Sequence, residues 1–172
     1  MDMNAAKREC ERTDHGALKG LSVMAMILYS VCATPGHSQE ATSAGQVDQI
    51  TNPRAASAQK MFFFEPKLTL IAPGETLNIL NSRGEHTVDS IDGLWPKGVE
   101  PVAIASDPQA RVTFPIQGYY AFRCRRHGQY GMVMLVVAGQ PDNKHELIAQ
   151  IEELALGKRE KASLRALFDQ AP

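Results

Sequence analysis

The chain has 172 residues, with 18 Lys and Arg against 19 Asp and Glu, so its formal net charge is −1 at pH 7. This length suits one domain with tails rather than two full domains. The balanced charge excludes the strong positive field by which many proteins gather nucleic acid. We therefore expect no nucleic-acid partner, and any partner must be selected by a local patch.

The longest apolar run, Leu21 to Ala33, predicts an export signal. Its length fits the apolar centre of a signal peptide and is short for a membrane span. Cleavage after Ala33 or after Ser38 would fit, and we take residues 1–38 as the signal peptide of a periplasmic protein that has no membrane attachment after cleavage. A retained membrane anchor and lipid attachment at Cys32 are the alternatives.

Removal of this segment changes the cysteine content. Cys10 and Cys32 are lost with it, and Cys124 becomes the only cysteine of the mature chain. An unpaired thiol in an oxidising compartment needs a reason. Metal ligation is one such reason because it occupies the thiolate.

Composition divides the next part of the chain in two. Residues 39–59 are mainly Gln, Thr, Ser, Ala, Gly and Asn without an apolar period, which predicts a flexible linker. Residues 60–139 alternate short β-rich runs with turn signals, which predicts a mainly β sandwich or barrel. The runs are MFFF, KLTLI, TLNILN, HTVDSI, RVTF, YYAFRC and MVMLVV.

The last part, residues 140–172, is predicted to form two α-helices packed on the sheet. The final strand, residues 132–137, is apolar at every position and must be covered on both faces. Asn143 and Glu146 resemble a capping box, and Gly157 stands where a helix would end. A loose amphipathic tail is the alternative. The two helical stripes consist of Leu147, Ile148, Ile151 and Leu154, and of Leu164, Leu167 and Phe168.

Three types of metal ligand lie within nine residues near the end of the β-rich region. In the run YYAFRC, alternation places Tyr120, Phe122 and Cys124 on one face, pointing inward. His127 follows three residues later, and Met132 opens the next strand. A loop this short forces the three donors to converge.

A second imidazole would complete the site, and His86 is our candidate. It begins the run HTVDSI after a turn, where a strand end can present it at the same pole as Cys124. His145 lies on the predicted helix between two charged residues and is expected at the surface, while His37 lies near the predicted cleavage point. A histidine alone on a strand more often has a structural role than a metal-binding one. The nearby cluster of Cys124, His127 and Met132 makes metal binding the favoured role for His86.

The donor set predicts copper. Thiolate, imidazole and thioether are soft or borderline ligands that suit copper and are poor for calcium or magnesium. Zinc would prefer a fourth strong ligand in place of the thioether. Two imidazoles and one thiolate with a weak axial thioether form the arrangement of blue-copper electron-transfer sites. We expect one Cu(I)/Cu(II) ion per chain at His86, Cys124, His127 and Met132.

Five motifs carry a family resemblance: FEP at 64–66, APGETL at 72–77, GEHTVDSI at 84–91, WPKGVE at 95–100 and C-x-x-H-x-x-x-x-M at 124–132. With these motifs the chain resembles the cupredoxins, the type 1 blue copper proteins, and among them the pseudoazurin family. The resemblance implies an eight-stranded Greek-key β-sandwich or barrel with two C-terminal helices. It also implies three equatorial ligands, His86, Cys124 and His127, with Met132 axial. Redox partners such as nitrite reductase or cytochrome c follow from the same resemblance.

The chain departs from the pseudoazurin pattern beside two ligands. Thr87 replaces an Asn that ties the ligand loops together, and we expect the backbone N–H of Thr87 to donate to the thiolate. Arg125 and Arg126 replace Thr-Pro. With Arg123 and Lys97, they are expected to form a positive patch that steers acidic redox partners. A solvated loop without a steering role is the alternative.

The residues are compatible with three classes of function. The leading hypothesis is a monomeric electron shuttle that is not an enzyme. The second is a copper-binding or delivery protein. A site closed by four protein ligands counts against it. The third is a nucleophilic enzyme with Cys124 attacking and His127 as base, which leaves Met132 without a role.

Overall fold

The computed structural model describes residues 43–81, 85–105 and 107–172. The predicted signal peptide, residues 1–38, and the beginning of the predicted linker lie outside these ranges. Among the described residues, no helix has both the length and the apolar character needed to cross a bilayer.

The described part of the chain contains nine strands in two sheets. The first sheet has, in spatial order, β2 (Phe62–Glu65), β1 (Ser43–Thr51), β4 (Thr76–Leu80) and β7 (Gln109–Thr113). The second sheet has β3 (Leu68–Ile71), β9 (Val133–Ala138), β8 (Gly118–Arg123), β5 (Thr87–Ser90) and β6 (Ala103–Ala105). The mainly β, two-sheet fold is confirmed, with nine strands rather than eight.

Side chains of β8 alternate between two hydrophobic cores, as its sequence predicts. Tyr120 and Phe122, followed by Cys124, belong to the inner core between the sheets. Tyr119 and Ala121 belong to the outer core. The neighbouring strand β9 is buried at all six positions, because one face lies in each core.

Two C-terminal helices provide the outer cover, as predicted. They are α2 (Lys144–Glu153) and α3 (Lys158–Gln170), following the short α1 (Ala58–Met61). The side chains that they bury against the second sheet include Leu147, Ile151, Leu164, Leu167 and Phe168.

The predicted helix ends are partly wrong. Asn143 is the N-cap of α2, but its side chain makes no capping hydrogen bond. Gly157 does not end α2, which stops four residues earlier; it is the N-cap of α3. Its N–H donates to Oε2 of Glu160 at 2.9 Å, so the side-chain carboxylate of Glu160 caps the beginning of α3.

The flexible linker predicted for residues 39–59 is wrong for the strand β1. This strand pairs in parallel with β4 and antiparallel with β2, so it lies inside the first sheet. Val47 and Gln49 are fully buried, and the Gln49 amide donates to the carbonyl of Leu80. Pairing on both edges stabilises a segment whose own side chains are mostly polar.

We expect Phe168→Ala to destabilise the domain strongly. The ring is fully buried against Tyr119 in the outer core, and removing it leaves a cavity worth about 3–5 kcal/mol of unfolding free energy. Chemical denaturation of the metal-free protein measures this. Leu70→Ala is the control, because Leu70 is 58% exposed and its loss should cost under about 0.5 kcal/mol. Equal losses would contradict the packing of α3 on the sheet.

Candidate metal centre

Strand pairing brings two distant ligand candidates to one pole of the domain. Strands β5 and β8 are antiparallel, with Asp89 opposite Arg123. His86 immediately precedes β5 and Cys124 immediately follows β8. Because antiparallel strands place the start of one beside the end of the other, the two residues meet. Both side chains are buried.

Three donor atoms converge at this pole. The Sγ of Cys124 lies 3.6 Å from Nδ1 of His127 and 4.0 Å from Nδ1 of His86. The two Nδ1 atoms are 3.1 Å apart. The structure therefore brings together three of the four predicted site residues in one cluster that could hold a metal ion.

Met132, the fourth predicted residue, lies in the inner core beside Cys124 and is fully buried. Its carbonyl accepts the N–H of Cys124 at 3.0 Å, and its own N–H donates to the carbonyl of His127 at 3.3 Å. A 3₁₀ turn, Gly128–Tyr130, fills the space between, and Gly131 adopts a left-handed φ of 91°. These bonds close the ligand loop over residues 124–132.

The thiol receives the hydrogen bond expected from the residue after His86. The N–H of Thr87 donates to Sγ of Cys124 at 3.5 Å. The Thr87 hydroxyl also accepts the N–H of Arg125 at 2.8 Å and donates to Asp89, which in turn pairs with the Arg125 guanidinium. Thr87 thus ties the two ligand segments together, with Asp89 and Arg125 completing the link.

A second hydroxyl holds the ring of His86. Nε2 of His86 lies 2.8 Å from Oγ1 of Thr51, and that hydroxyl donates to Oε1 of Glu85 at 2.9 Å. Because the Thr51 hydroxyl donates to Glu85, its oxygen can accept a proton-bearing Nε2 of His86, and this tautomer leaves Nδ1 unprotonated toward the cluster. A partner on the outer nitrogen fixes both the tautomer and the orientation of a ligating imidazole.

The ring of His127 is covered on one face by Phe62. The two rings are parallel within 6° and their centroids are 3.8 Å apart. Burial lowers the pKa of His127, and Arg126 lowers it further while Glu85 raises it. Burial also lowers the pKa of His86, with His127 adding to the effect and Glu85 opposing it. Neutral rings, the form that binds metals, are therefore favoured.

The predicted positive patch is smaller than the sequence indicates. Arg123 pairs with the buried Glu160, and Arg125 pairs with Asp89. Lys97 lines a cavity with Gly118, at the opposite end of β8 from the cluster, about 20 Å away at the usual strand rise. The expectation that Lys97 belongs to the positive patch beside the site is therefore wrong.

Arg126 lies one residue before His127 and is exposed. Within the described ranges it makes no ion pair. The other histidine considered, His145, is exposed on α2 as predicted, and His37 lies outside the described residues.

Thr51 and Phe62, which contact the two histidines, were not identified from the sequence. Thr51 lies in the predicted linker, so no strand was expected to bring it near His86. Phe62 belongs to a run that was predicted as a strand, but strand periodicity does not say which ring an aromatic side chain contacts. A prediction of β1 and of its pairing would have identified both as candidates.

The donor set fits copper. Donors that each lie about 2.0–2.3 Å from a shared ion, as in zinc sites, are three to four ångströms apart, like the three atoms here. A thiolate with two imidazoles suits copper.

Comparisons with known proteins agree. Residues 51–139 match the family model of copper-binding proteins of the plastocyanin/azurin family. The chain is 31% identical over 99 residues to the pseudoazurin of Methylorubrum extorquens, an alignment that covers 58% of this chain and 67% of that protein. It is 35% identical over 95 residues to a putative pseudoazurin of Rhizobium leguminosarum, covering 55% of this chain and 59% of the relative.

Solved structures give the same result. The crystal structure of pseudoazurin from Methylobacterium extorquens matches with a TM-score of 0.61 and 30% identity, covering 74% of this chain and 98% of that one. Pseudoazurin from Hyphomicrobium denitrificans matches with a TM-score of 0.62 and 24% identity, covering 75% and 99%, and supports the fold. The chain therefore belongs to the plastocyanin/azurin family of copper-binding proteins, a family of electron carriers rather than enzymes.

Proposed function

We propose that this protein is a periplasmic shuttle that carries single electrons on one copper ion held by His86, Cys124, His127 and Met132. The observation that carries the proposal is the convergence of one thiol and two imidazole Nδ1 atoms, 3.1–4.0 Å apart, at one end of a β-sandwich. Copper supplies the one-electron chemistry by alternating between Cu(I) and Cu(II).

The residues around the cluster suit an ion that changes charge without moving its ligands. Three of the proposed ligands, Cys124, His86 and Met132, are buried. A hydrogen bond from Thr87 holds the thiol, and a hydrogen bond with Thr51 holds the ring of His86. Ligands held by their own packing and hydrogen bonds keep their positions when the electron arrives or leaves. Met132 would supply a thioether as the weakest of the four ligands in this proposal.

Retention of the ion separates a shuttle from a delivery protein. A buried thiol and a buried imidazole slow the exchange of a bound copper ion. A delivery site must release copper readily, so a chelator would remove the ion from it. The periplasmic location is supported by the predicted export signal and by the inclusion of the mature chain's one thiol in the cluster. That thiol would be protected from oxidation while it binds the metal.

Electrons would enter and leave through His127, the partly exposed member of the cluster. Acidic redox proteins, such as a nitrite reductase or a cytochrome c, are the proposed partners. Arg126, beside His127, supplies positive charge that no ion pair cancels among the described residues. The protein would act as a monomer.

Addition of Cu(II) to the mature protein should produce an intense visible charge-transfer band. Cys124→Ser should abolish the band and His86→Gln should abolish or strongly weaken it, because each removes a donor from the cluster. His145→Gln is the matched control, since His145 is exposed on α2, and it should leave the spectrum unchanged. A colourless copper complex, a preference for zinc, or rapid loss of copper to a weak chelator would refute the shuttle.

Thr87→Val should weaken copper binding about tenfold while the fold is retained. Valine keeps the shape and the backbone N–H to sulfur but removes the hydroxyl that links Arg125 and Asp89. Losing a group that orients ligands typically costs 10- to 100-fold in metal affinity. Competition with a chelator measures this. Thr87→Ser should retain tight binding, and Thr113→Val, which removes a hydroxyl bonded to Thr76, should have no effect on it. Equal affinity in Thr87→Val would show that the hydroxyl is dispensable.

Electron transfer to an acidic partner should slow as ionic strength rises, and only modestly, because one uncompensated charge, that of Arg126, does the steering. Arg126→Gln should lower the rate at low salt about two- to threefold, because one charge at about 8 Å contributes about 0.5 kcal/mol in water. Stopped-flow kinetics measures both effects. Lys97→Gln is the control for net charge, and its remote position predicts no comparable change. A rate that does not vary with salt would remove the steering role.

A further inference from the structure

Glu160 is an acidic residue in the first turn of α3 that faces the protein interior. Its side chain is only 3% exposed. One oxygen, Oε2, accepts the N–H of Gly157, and the other, Oε1, lies 2.9 Å from Nη2 of Arg123. Arg123 directly precedes Cys124. An ion pair between a buried carboxylate and a partly exposed arginine therefore connects the helix to the residue before the thiol ligand.

The same helix turn contacts the loop that follows His127. A Cβ placed on Gly128 would stand 2.2 Å from Oε1 of Glu160, and one placed on Gly131 would stand 2.6 Å from the hydroxyl of Ser163. Glycine at both positions lets α3 approach the loop backbone. The left-handed φ of Gly131 is a second reason for glycine there.

The third contact of this helix is with α1, the segment just before Phe62, whose ring covers His127. With its amide oxygen turned toward Arg159, Gln59 accepts from Nε of Arg159 at 3.0 Å. Gln59 belongs to α1, which ends at the residue before Phe62. The beginning of α3 thus contacts three segments near His127: the end of β8, the ligand loop and α1.

We propose that Glu160 is a positioning residue for the copper site. Its carboxylate holds Arg123 and the ligand loop, residues 124–132, so that His127 and Met132 keep a single arrangement. The position of the loop depends on the charge of Glu160, because its Oε1 has no hydrogen-bond partner among the described residues and is held by the ion pair with Nη2 of Arg123. Removing the Glu160 carboxylate would leave the charge of Arg123 without its partner in the protein. The role in copper binding rests on the ligand set proposed above.

The test compares Glu160→Gln with Glu152→Gln. Glutamine at 160 can still accept the Gly157 N–H but loses the charge that holds Arg123. Glu152 forms an exposed pair with Arg165, which links α2 to α3 and includes no residue of the ligand loop, so its substitution is a matched control. Glu160→Asp, which keeps the charge and shortens the reach, is the second variant and should behave like Glu160→Gln.

The first measurement is amide hydrogen exchange in the metal-free protein. Gly128, Gly131 and Met132 donate their N–H groups to carbonyls within the loop. We expect their exchange to become faster in Glu160→Gln and Glu160→Asp, while the amides of β9 keep their protection. The second measurement is copper transfer to a chelator, which we expect to be about tenfold faster in both variants, with altered relative intensities of the visible bands.

Glu152→Gln should match the unchanged protein in both measurements. Glu160 variants that match Glu152→Gln would overturn the proposal, and so would faster exchange spread evenly over β8 and β9, which indicates general destabilisation. The two proposals fail separately. If the unchanged protein binds no copper, the electron-shuttle proposal fails, while hydrogen exchange in the metal-free protein still decides whether Glu160 positions the loop.

Discussion

The register between β5 and β8 is the constraint on which the metal cluster depends. Asp89 lies opposite Arg123, and this pairing places His86 beside Cys124. A slip of one residue would turn Cys124 from the inner core to the face covered by the helices, because strand side chains alternate. The buried rings of Tyr120 and Phe122, on the same face as Cys124, oppose such a slip. Packing of the inner core therefore determines whether the donors meet.

Hydroxyl groups extend this constraint from the backbone to the donor atoms. Thr87 joins the segment after His86 to the segment after Cys124, and Thr51 brings β1 of the other sheet to the His86 ring. Each hydroxyl both accepts and donates, so its own direction is fixed by a carboxylate, Asp89 or Glu85. The donors are thus held from both sheets, which limits how far they can shift when the charge of the bound ion changes.

Local patterns predicted most of the fold and the cluster, and long-range contacts account for the rest. Seven β-rich runs correspond to β2, β3, β4, β5, β7, β8 and β9, because each has its own apolar pattern. The polar strand β1 was missed, since pairing with two neighbours stabilises it more than its side chains do. Likewise, the Cys124 and His127 spacing is visible in the sequence. Thr51 and Glu160 reach the site through tertiary contacts that no spacing records.

The three arginines around Cys124 show that the number of charged residues in a sequence does not give the electrostatic field at the protein surface. Arg123 is held by a buried carboxylate and Arg125 by Asp89, so each belongs to a nearly neutral pair whose field falls off quickly with distance. At physiological salt the screening length is about 8 Å, so only an uncompensated charge close to the exposed edge of His127 can act on a partner. Arg126 meets that condition. The other two arginines, Arg123 and Arg125, instead stabilise the ligand segments through their ion pairs. The same short stretch of chain therefore supplies both a rigid site and a modest steering charge.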